Sequence, residues 1–339
     1  MAHTPTRAAA SEPRAALFAR LRRNLALQDH VCTAFHAYMF LRVMVAPDSD
    51  DARFARGFSG ALLAVTVLTI LVVRGELMRP GRLRALVYRI GVFTPVALSY
   101  FELRSLLAAL EPAMLDQALW AVDRAVFGVT PAQWLQRINE PGYVEWFAFF
   151  YYSYFTILTA VLLPSLFFDR GPRMASLMVG AMTVVCVGHA CYTLVPALGP
   201  HAAVAFDQPV RGGFFWGLVE TAVHGAGAQM DIFPSLHTAL PTFFTLHLFG
   251  NRHRAPFKYA WPVVGFFAAN IIVATMLLRW HWGIDVICGL LLAALARTAG
   301  VLAARREQDR ELGSARQPVW EPLFRWQTRP APREEDASA

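Results

Sequence analysis

Lysine is almost missing from this chain: of 31 lysines and arginines, only Lys258 is a lysine. Charge of either sign is scarce as well. Asp, Glu, Lys and Arg make up 16% of the 339 residues, where a soluble domain carries about a quarter. With 56% hydrophobic residues and a mean hydropathy of +0.39, that shortage argues against a soluble globular domain. Cysteine is limited to Cys32, Cys186, Cys191 and Cys288, all in apolar surroundings, and no pair has zinc-ligand spacing with histidines nearby. They read as small buried hydrophobes. No internal repeat of the kind that marks many transporters is visible. The first 27 residues are polar and rich in Arg and Ala, without an apolar centre, so no cleavable signal peptide is expected.

What the chain does have is long apolar runs. About eight segments approach the ~20 residues needed to cross a bilayer: 28–46, 57–73, 88–107, 144–168, 175–196, 235–250, 261–280 and 282–300. The first is the weakest, because it carries His30, His36 and Arg42. The expected fold is all-α, a polytopic membrane helix bundle of about eight transmembrane helices. Arginines gather in the links 74–89, 169–174 and 251–258 and after residue 300. With eight crossings all of these fall on one side, which predicts both termini inside. The same clustering explains the net charge of +7 by topology and argues against a nucleic-acid partner. The implied organisation is a cytoplasmic segment 1–27, two peripheral helices over 28–84, a membrane domain over 85–300 and a disordered cytoplasmic tail over 301–339. Two long segments lie on the other side. Residues 108–143 have apolar positions at helical spacing, as in an interfacial amphipathic helix. Residues 197–234 are rich in Gly and polar residues, and a loop of that length is often functional.

The chemistry-bearing residues collect at that outer side. RWHWGID places His281 between the last two segments, with Asp285 four residues on. On a helix these share a face, so the carboxylate can take a hydrogen bond from one imidazole nitrogen and leave the other free to attack. FPSLHTA places Ser235 and His237 at the start of the sixth segment, behind Pro234. Pro-Ser is an ordinary helix start with Ser235 as cap, which accounts for the serine and not for His237. Free amides at such a start favour an anion. The plainer reading of His281 and Asp285 is a buried pair joining two helices. A metal site would need a fourth ligand that the sequence does not supply. Tyr192, Pro196, Gly199 and Pro200 end a helix and turn the chain; alternatively the turn's amides approach a phosphate. The aromatic run 149–155 reads most simply as packing and interfacial aromatics; the alternative is a lipid or sugar contact through Tyr151 or Tyr154.

FPSLH followed after 43 residues by HWGID resembles the type 2 phosphatidic acid phosphatase superfamily, with its PSGH-type and SRxxxxxHxxxD motifs. The resemblance implies a core of about six catalytic helices. In the implied chemistry His281 is the nucleophile that forms a phosphohistidine, Asp285 orients it, and His237 protonates the leaving group. Ser235, Pro234 and nearby amides hold the phosphate, and neither metal nor cofactor is needed. The chain departs from the family pattern in several places. KxxxxxxRP is absent, Leu236 replaces Gly, and Ala274 and Thr275 stand where Ser and Arg are expected. Arg279 is the nearest arginine and, with Arg211 and Arg124, a candidate for phosphate binding; an arginine at a helix end can equally snorkel. YTLVPALGP, with Tyr192 and Gly199, and LDQALWAVDRAVFGVTP are similar to the inositol phosphorylceramide synthase-like branch. That likeness implies a lipid phosphotransferase moving a headgroup such as phosphoinositol from phosphatidylinositol to a lipid or polyol acceptor; the excess of arginine over lysine and the lack of a recognisable organelle signal fit a bacterial inner membrane. With water as acceptor, the same site would make a lipid phosphate or polyprenyl diphosphate phosphatase.

Overall fold

A computed structural model describes residues 11–226, 229–313, 320 and 323. In chain order its helices are α1 (Ser11–Asn24), α2 (Leu27–Met44), α3 (Asp50–Arg74), α4 (Arg82–Leu110), α5 (Asp116–Phe127) and α6 (Pro131–Leu135). They continue as α7 (Pro141–Tyr152), α8 (Tyr154–Phe168), α9 (Gly171–Tyr192), α10 (Pro200–Ala203), α11 (Phe214–Ala226), α12 (Leu236–Gly250), α13 (Phe257–Leu277) and α14 (Gly283–Leu312). No strand occurs among the described residues. The only extended pairing there is an isolated bridge between Ala197 and Asp231.

All eight apolar segments are helical. Six spans are long and apolar enough to cross a membrane: α3, α4, α7 with α8, α9, α13 and α14. The chain is an integral membrane protein built as an all-α bundle. Two segments fall short of that standard. α2 has 18 residues and carries Asp29, His30, His36 and Arg42, and α12 has only 15 residues, with Pro241 inside. The fourth segment is broken where Ser153 turns its hydroxyl back onto the carbonyl of Phe149. The last helix runs on to Leu312, past the expected boundary at 300, because AARREQDREL is a run of good helix formers. Most of the remaining tail, and residues 1–10, lie outside the described residues.

Close helix crossings set the frame of the site. α9 is the most enclosed span, and it packs on α14, α12, α2 and α4. Its crossings with α12 and α14 are made through three glycine contacts. A Cβ on Gly180 would fall 2.0 Å from the Phe243 ring, one on Gly188 would fall 2.1 Å from Leu236, and one on Gly300 of α14 would fall 2.5 Å from the carbonyl of Ser176. Gly289 of α14 lies against Ser235 in the same way, at 2.6 Å from its carbonyl oxygen. Small residues that let backbones touch are how membrane helices associate tightly. They fix the first turn of α12 against the first turns of α14, which is where both histidines are. At the far end of the bundle a buried Arg74–Asp29 pair, 2.8 Å apart and joined by the Tyr88 hydroxyl, ties α2, α3 and α4.

Candidate active site

Ser235 caps α12 by accepting a hydrogen bond from the Thr238 amide at 3.2 Å, and it is fully buried. Its own amide donates to the carbonyl of Asp285 at 3.1 Å. The two motif loops are therefore bonded directly to each other. Pro234, buried, precedes the cap. The geometry leaves the amides of Leu236 and His237 without intrahelical acceptors, at the positive end of the α12 dipole.

His237 and His281 meet there, with ring centroids 5.8 Å apart. Nδ1 of His281 lies 3.4 Å from Oδ2 of Asp285, a long contact. The same Oδ2 accepts from the Trp282 amide at 2.9 Å, so Asp285 also closes the first turn of α14. The expected pairing is present and leaves Nε2 as the free nitrogen, but it is not made across a helix face: His281 lies in the turn ahead of α14, and Asp285 in the first turn reaches back to it. His237 is enclosed by aromatic rings: Tyr151 stacks on it at 4.5 Å and Tyr154 lies 4.2 Å away. These two tyrosines flank the break at Ser153. In the sequence a lipid or sugar contact through either tyrosine stood beside plain packing, and their distance from His237 in the fold places both at the histidine pair.

The loop bearing His281 is gripped from several sides. Amides of Trp280 and His281 both donate to the carbonyl of Thr275, at 3.0 Å each; Thr275 is the residue standing where the resembling family has arginine. Two carboxylates of α5 complete the grip. Asp123 accepts from the amides of Gly283 at 2.9 Å and Ile284 at 2.8 Å and from the Thr130 hydroxyl at 2.5 Å. Asp116 accepts from the amides of Leu198 and Gly199 and from the indole of Trp282. Leu119, Ala197, Ile232 and Trp282 form an apolar cluster beneath them. Neither aspartate was a sequence candidate. Their signal was the spacing of seven within an amphipathic helix, which puts both on one face.

Gly199 sits at φ +100°, where a Cβ would fall 2.4 Å from the carbonyl oxygen of Trp280. Its amide is taken by Asp116, so the turn presses on the His281 loop and positions it. Gly199→Ala is expected to cost about 2 kcal/mol or more, from backbone strain and the forced shift of Trp280. Thermal unfolding should show the loss, and turnover should fall with it. Tyr192 ends α9, almost fully buried, with its ring 5.8 Å from His189. His189 itself is hydrogen-bonded to Ser99 at 2.9 Å, as an interhelical polar residue.

The candidate arginines point elsewhere. Arg279, at φ +66°, ends α13; its guanidinium stacks 3.9 Å from the Phe206 ring and donates to the carbonyl of Gln208. Burial lowers its pKa below the usual value. Arg211 is half exposed and reaches Glu140 at 3.2 Å, and Arg124 lies over Trp120. The 197–234 segment also contains α11, whose Trp216 and His224 pack near Trp280. The Gly-rich flanks hid that helix from the sequence. Among the described residues no group of three His, Cys, Asp or Glu is arranged to hold a metal ion.

A membrane bundle presenting two histidines, one with a carboxylate on Nδ1, at a helix N-terminus belongs to the class of intramembrane phosphoester enzymes. The PAP2 superfamily model matches residues 117–299, more than half of the chain, and the chain belongs to that superfamily. Its members are phosphatases and phosphotransferases, and this chain is an enzyme of that broad kind. No curated protein and no solved structure matches it.

Proposed function

We propose that the protein is a lipid phosphotransferase of the inositol phosphorylceramide synthase-like branch, working through a phosphohistidine on His281. The observation that carries this reading is the meeting of His237 and His281 at the first turn of α12, with Asp285 on Nδ1 of His281. Nε2 of His281 attacks phosphorus. The bond from phosphorus to the diacylglycerol oxygen breaks, and His237 gives that oxygen a proton. In the second half the acceptor hydroxyl loses its proton to His237 and attacks phosphorus, and the P–N bond breaks. Splitting one displacement into two steps is the gain of a covalent intermediate. The amides of Leu236 and His237 and the helix dipole supply the oxyanion contacts, and Ser235 fixes their geometry. Arg279 remains the nearest arginine in sequence for the phosphoryl charge. Histidine as nucleophile makes the chemistry independent of metal.

In this reading residues 85–300 are the catalytic domain, and the helices over 28–84 are peripheral to it. The arginine-rich ends face the cytoplasm, N-in and C-in, and the site opens on the outer side of a bacterial inner membrane, in contact with phospholipid. The test is to offer the purified protein phosphatidylinositol labelled in its phosphate, with and without candidate acceptor lipids. Label is expected on the acceptor lipid. Labelled inositol phosphate as the sole product, with none on the acceptor lipid, would sink transfer in favour of hydrolysis.

A further inference from the structure

The end of the bundle away from the histidines holds a space of its own. α14 rises about 1.5 Å per residue, so Ala303 lies about 30 Å along it from Gly283, roughly one hydrocarbon thickness. There a cavity of about 320 Å³ opens between the α1–α2 junction, α9 and the last turns of α14. Its volume falls inside the roughly 300–1,000 Å³ usual for small-ligand sites. The apolar lining includes Leu27, Ala175 and Trp320. The polar lining is Gln28, His30, Arg306, Glu307 and Arg310.

Two of the charged residues hold the wall together. Arg310 donates to the carbonyls of Asn24 at 3.0 Å and Leu25 at 2.5 Å. Glu307 accepts from the Trp320 amide at 3.0 Å, and the Trp320 carbonyl accepts from the Gly171 amide at 3.1 Å. The Trp320 ring meets Tyr88 with centroids 5.3 Å apart. Asp29, the nearby carboxylate of α2, is engaged by the Ala26 amide, Arg74 and Tyr88. The groups left over donate. Arg306 is exposed and makes no ion pair among the described residues. Gln28 is only 3% exposed, yet its Nε2 has no hydrogen-bond partner among the described residues, and a buried amide left so costs stability. The first turn of α2 adds the amides of Leu27 and Gln28, which have no intrahelical acceptor.

An empty packing void is apolar throughout, and this cavity is not. A cation would meet Arg306 and Arg310 at close range. A neutral ligand would leave Arg306 without a counter-charge. An anion answers Arg306, the Gln28 amide and the α2 terminus at once, and the apolar lining suits the acylglycerol that a lipid phosphate carries. We propose that this cavity binds a phosphate-bearing anion, either the headgroup of an anionic lipid in the adjoining leaflet or free phosphate. Basic pockets between helices at the cytoplasmic side of a membrane take anionic headgroups, and this end is cytoplasmic in the N-in orientation. Trp320 makes the C-terminal segment one wall of the site. Nothing in it depends on the chemistry assigned to His281 at the opposite end.

The test uses the full-length protein in dodecylmaltoside, carrying His281→Asn so that no probe is turned over. Dioctanoyl-phosphatidylglycerol, dioctanoyl-phosphatidylcholine and inorganic phosphate are titrated calorimetrically against it, alone and with Arg306→Gln or Gln28→Leu added. The phosphate-bearing anion is expected to bind, and each added substitution to weaken it about tenfold or more, as the loss of a hydrogen bond to a charged group does. Arg306→Gln alters an exposed side chain and should leave folding untouched. Gln28→Leu removes the unmet amide, so without added ligand it should unfold no earlier than its parent, whereas loss of a Gln28 that only supported the fold would lower stability. Binding of phosphatidylglycerol without binding of inorganic phosphate marks a lipid headgroup site. Binding of inorganic phosphate that Arg306→Gln weakens marks a site for the free anion. No binding of either anion, equal affinity for phosphatidylcholine, or anion binding unaltered by both substitutions overturns the site.

Discussion

His281→Asn is expected to reduce lipid turnover by at least about three orders of magnitude and to abolish covalent labelling of the protein by phosphate-labelled substrate. Removal of a nucleophile from a two-step displacement typically costs this much, and what remains reflects binding and oxyanion contacts. Asparagine is close in size and can still meet Asp285, so the fold should survive, as circular dichroism and thermal unfolding would show. His237→Asn should also slow turnover, by about 10²- to 10⁴-fold as for other general acids, while permitting slow labelling when the leaving group is activated. Such a leaving group needs no proton. Full activity in His281→Asn would end the phosphohistidine mechanism. Labelling equally impaired with activated and unactivated leaving groups in His237→Asn would remove its role as acid.

The second large effect is expected at a residue that touches no substrate. Asp123 is fully buried and satisfies two amides at the start of α14 together with the Thr130 hydroxyl. Hydrogen bonds to a charged group contribute about 1.5 to 3 kcal/mol each. Counting the two amide bonds alone, Asp123→Ala should therefore cost about 3 to 6 kcal/mol of stability and leave the first turn of α14 without its cap. Asp123→Asn keeps one acceptor and loses the charge opposite the helix dipole, so it should fall between wild type and the alanine variant. Because Gly283 is two residues from His281, kcat should fall more than KM rises. Thermal unfolding with steady-state kinetics on the same preparations measures both effects. A drop in stability with unaltered kcat would reduce Asp123 to a structural cap.

The contrast between these two residues shows what the sequence could yield. His281 and Asp285 are four apart, and Ser235 caps the helix that carries His237; each relation is local and sits at a helix start. The apolar runs gave the bundle for the same reason. What fell outside was contact across distance. Asp123 finds its amides 160 positions away and Asp116 finds Leu198 across 82, and no local pattern carries those pairings. Tyr151 and Tyr154 sat inside an aromatic run that packing or a lipid or sugar contact could explain, and nothing local tied them to His237. The arginines were candidates because of their side of the membrane, yet side says nothing about direction. Arg279 turns to Phe206 and Gln208, and Arg211 turns to Glu140.

Helix α5 has a second surface. Beside Asp116, Leu119 and Asp123, the side chains of Val122 and Val126 stand exposed, an apolar flank at the histidine end of a membrane bundle. On its inner side the Phe127 ring lies where a Cβ on Gly283 would meet it, 2.6 Å away, next to the amides of Gly283 and Ile284 that Asp123 holds. One short helix thus braces the turn behind His281 twice, by an apolar ring and by a carboxylate, and no side chain larger than hydrogen fits at position 283 between them.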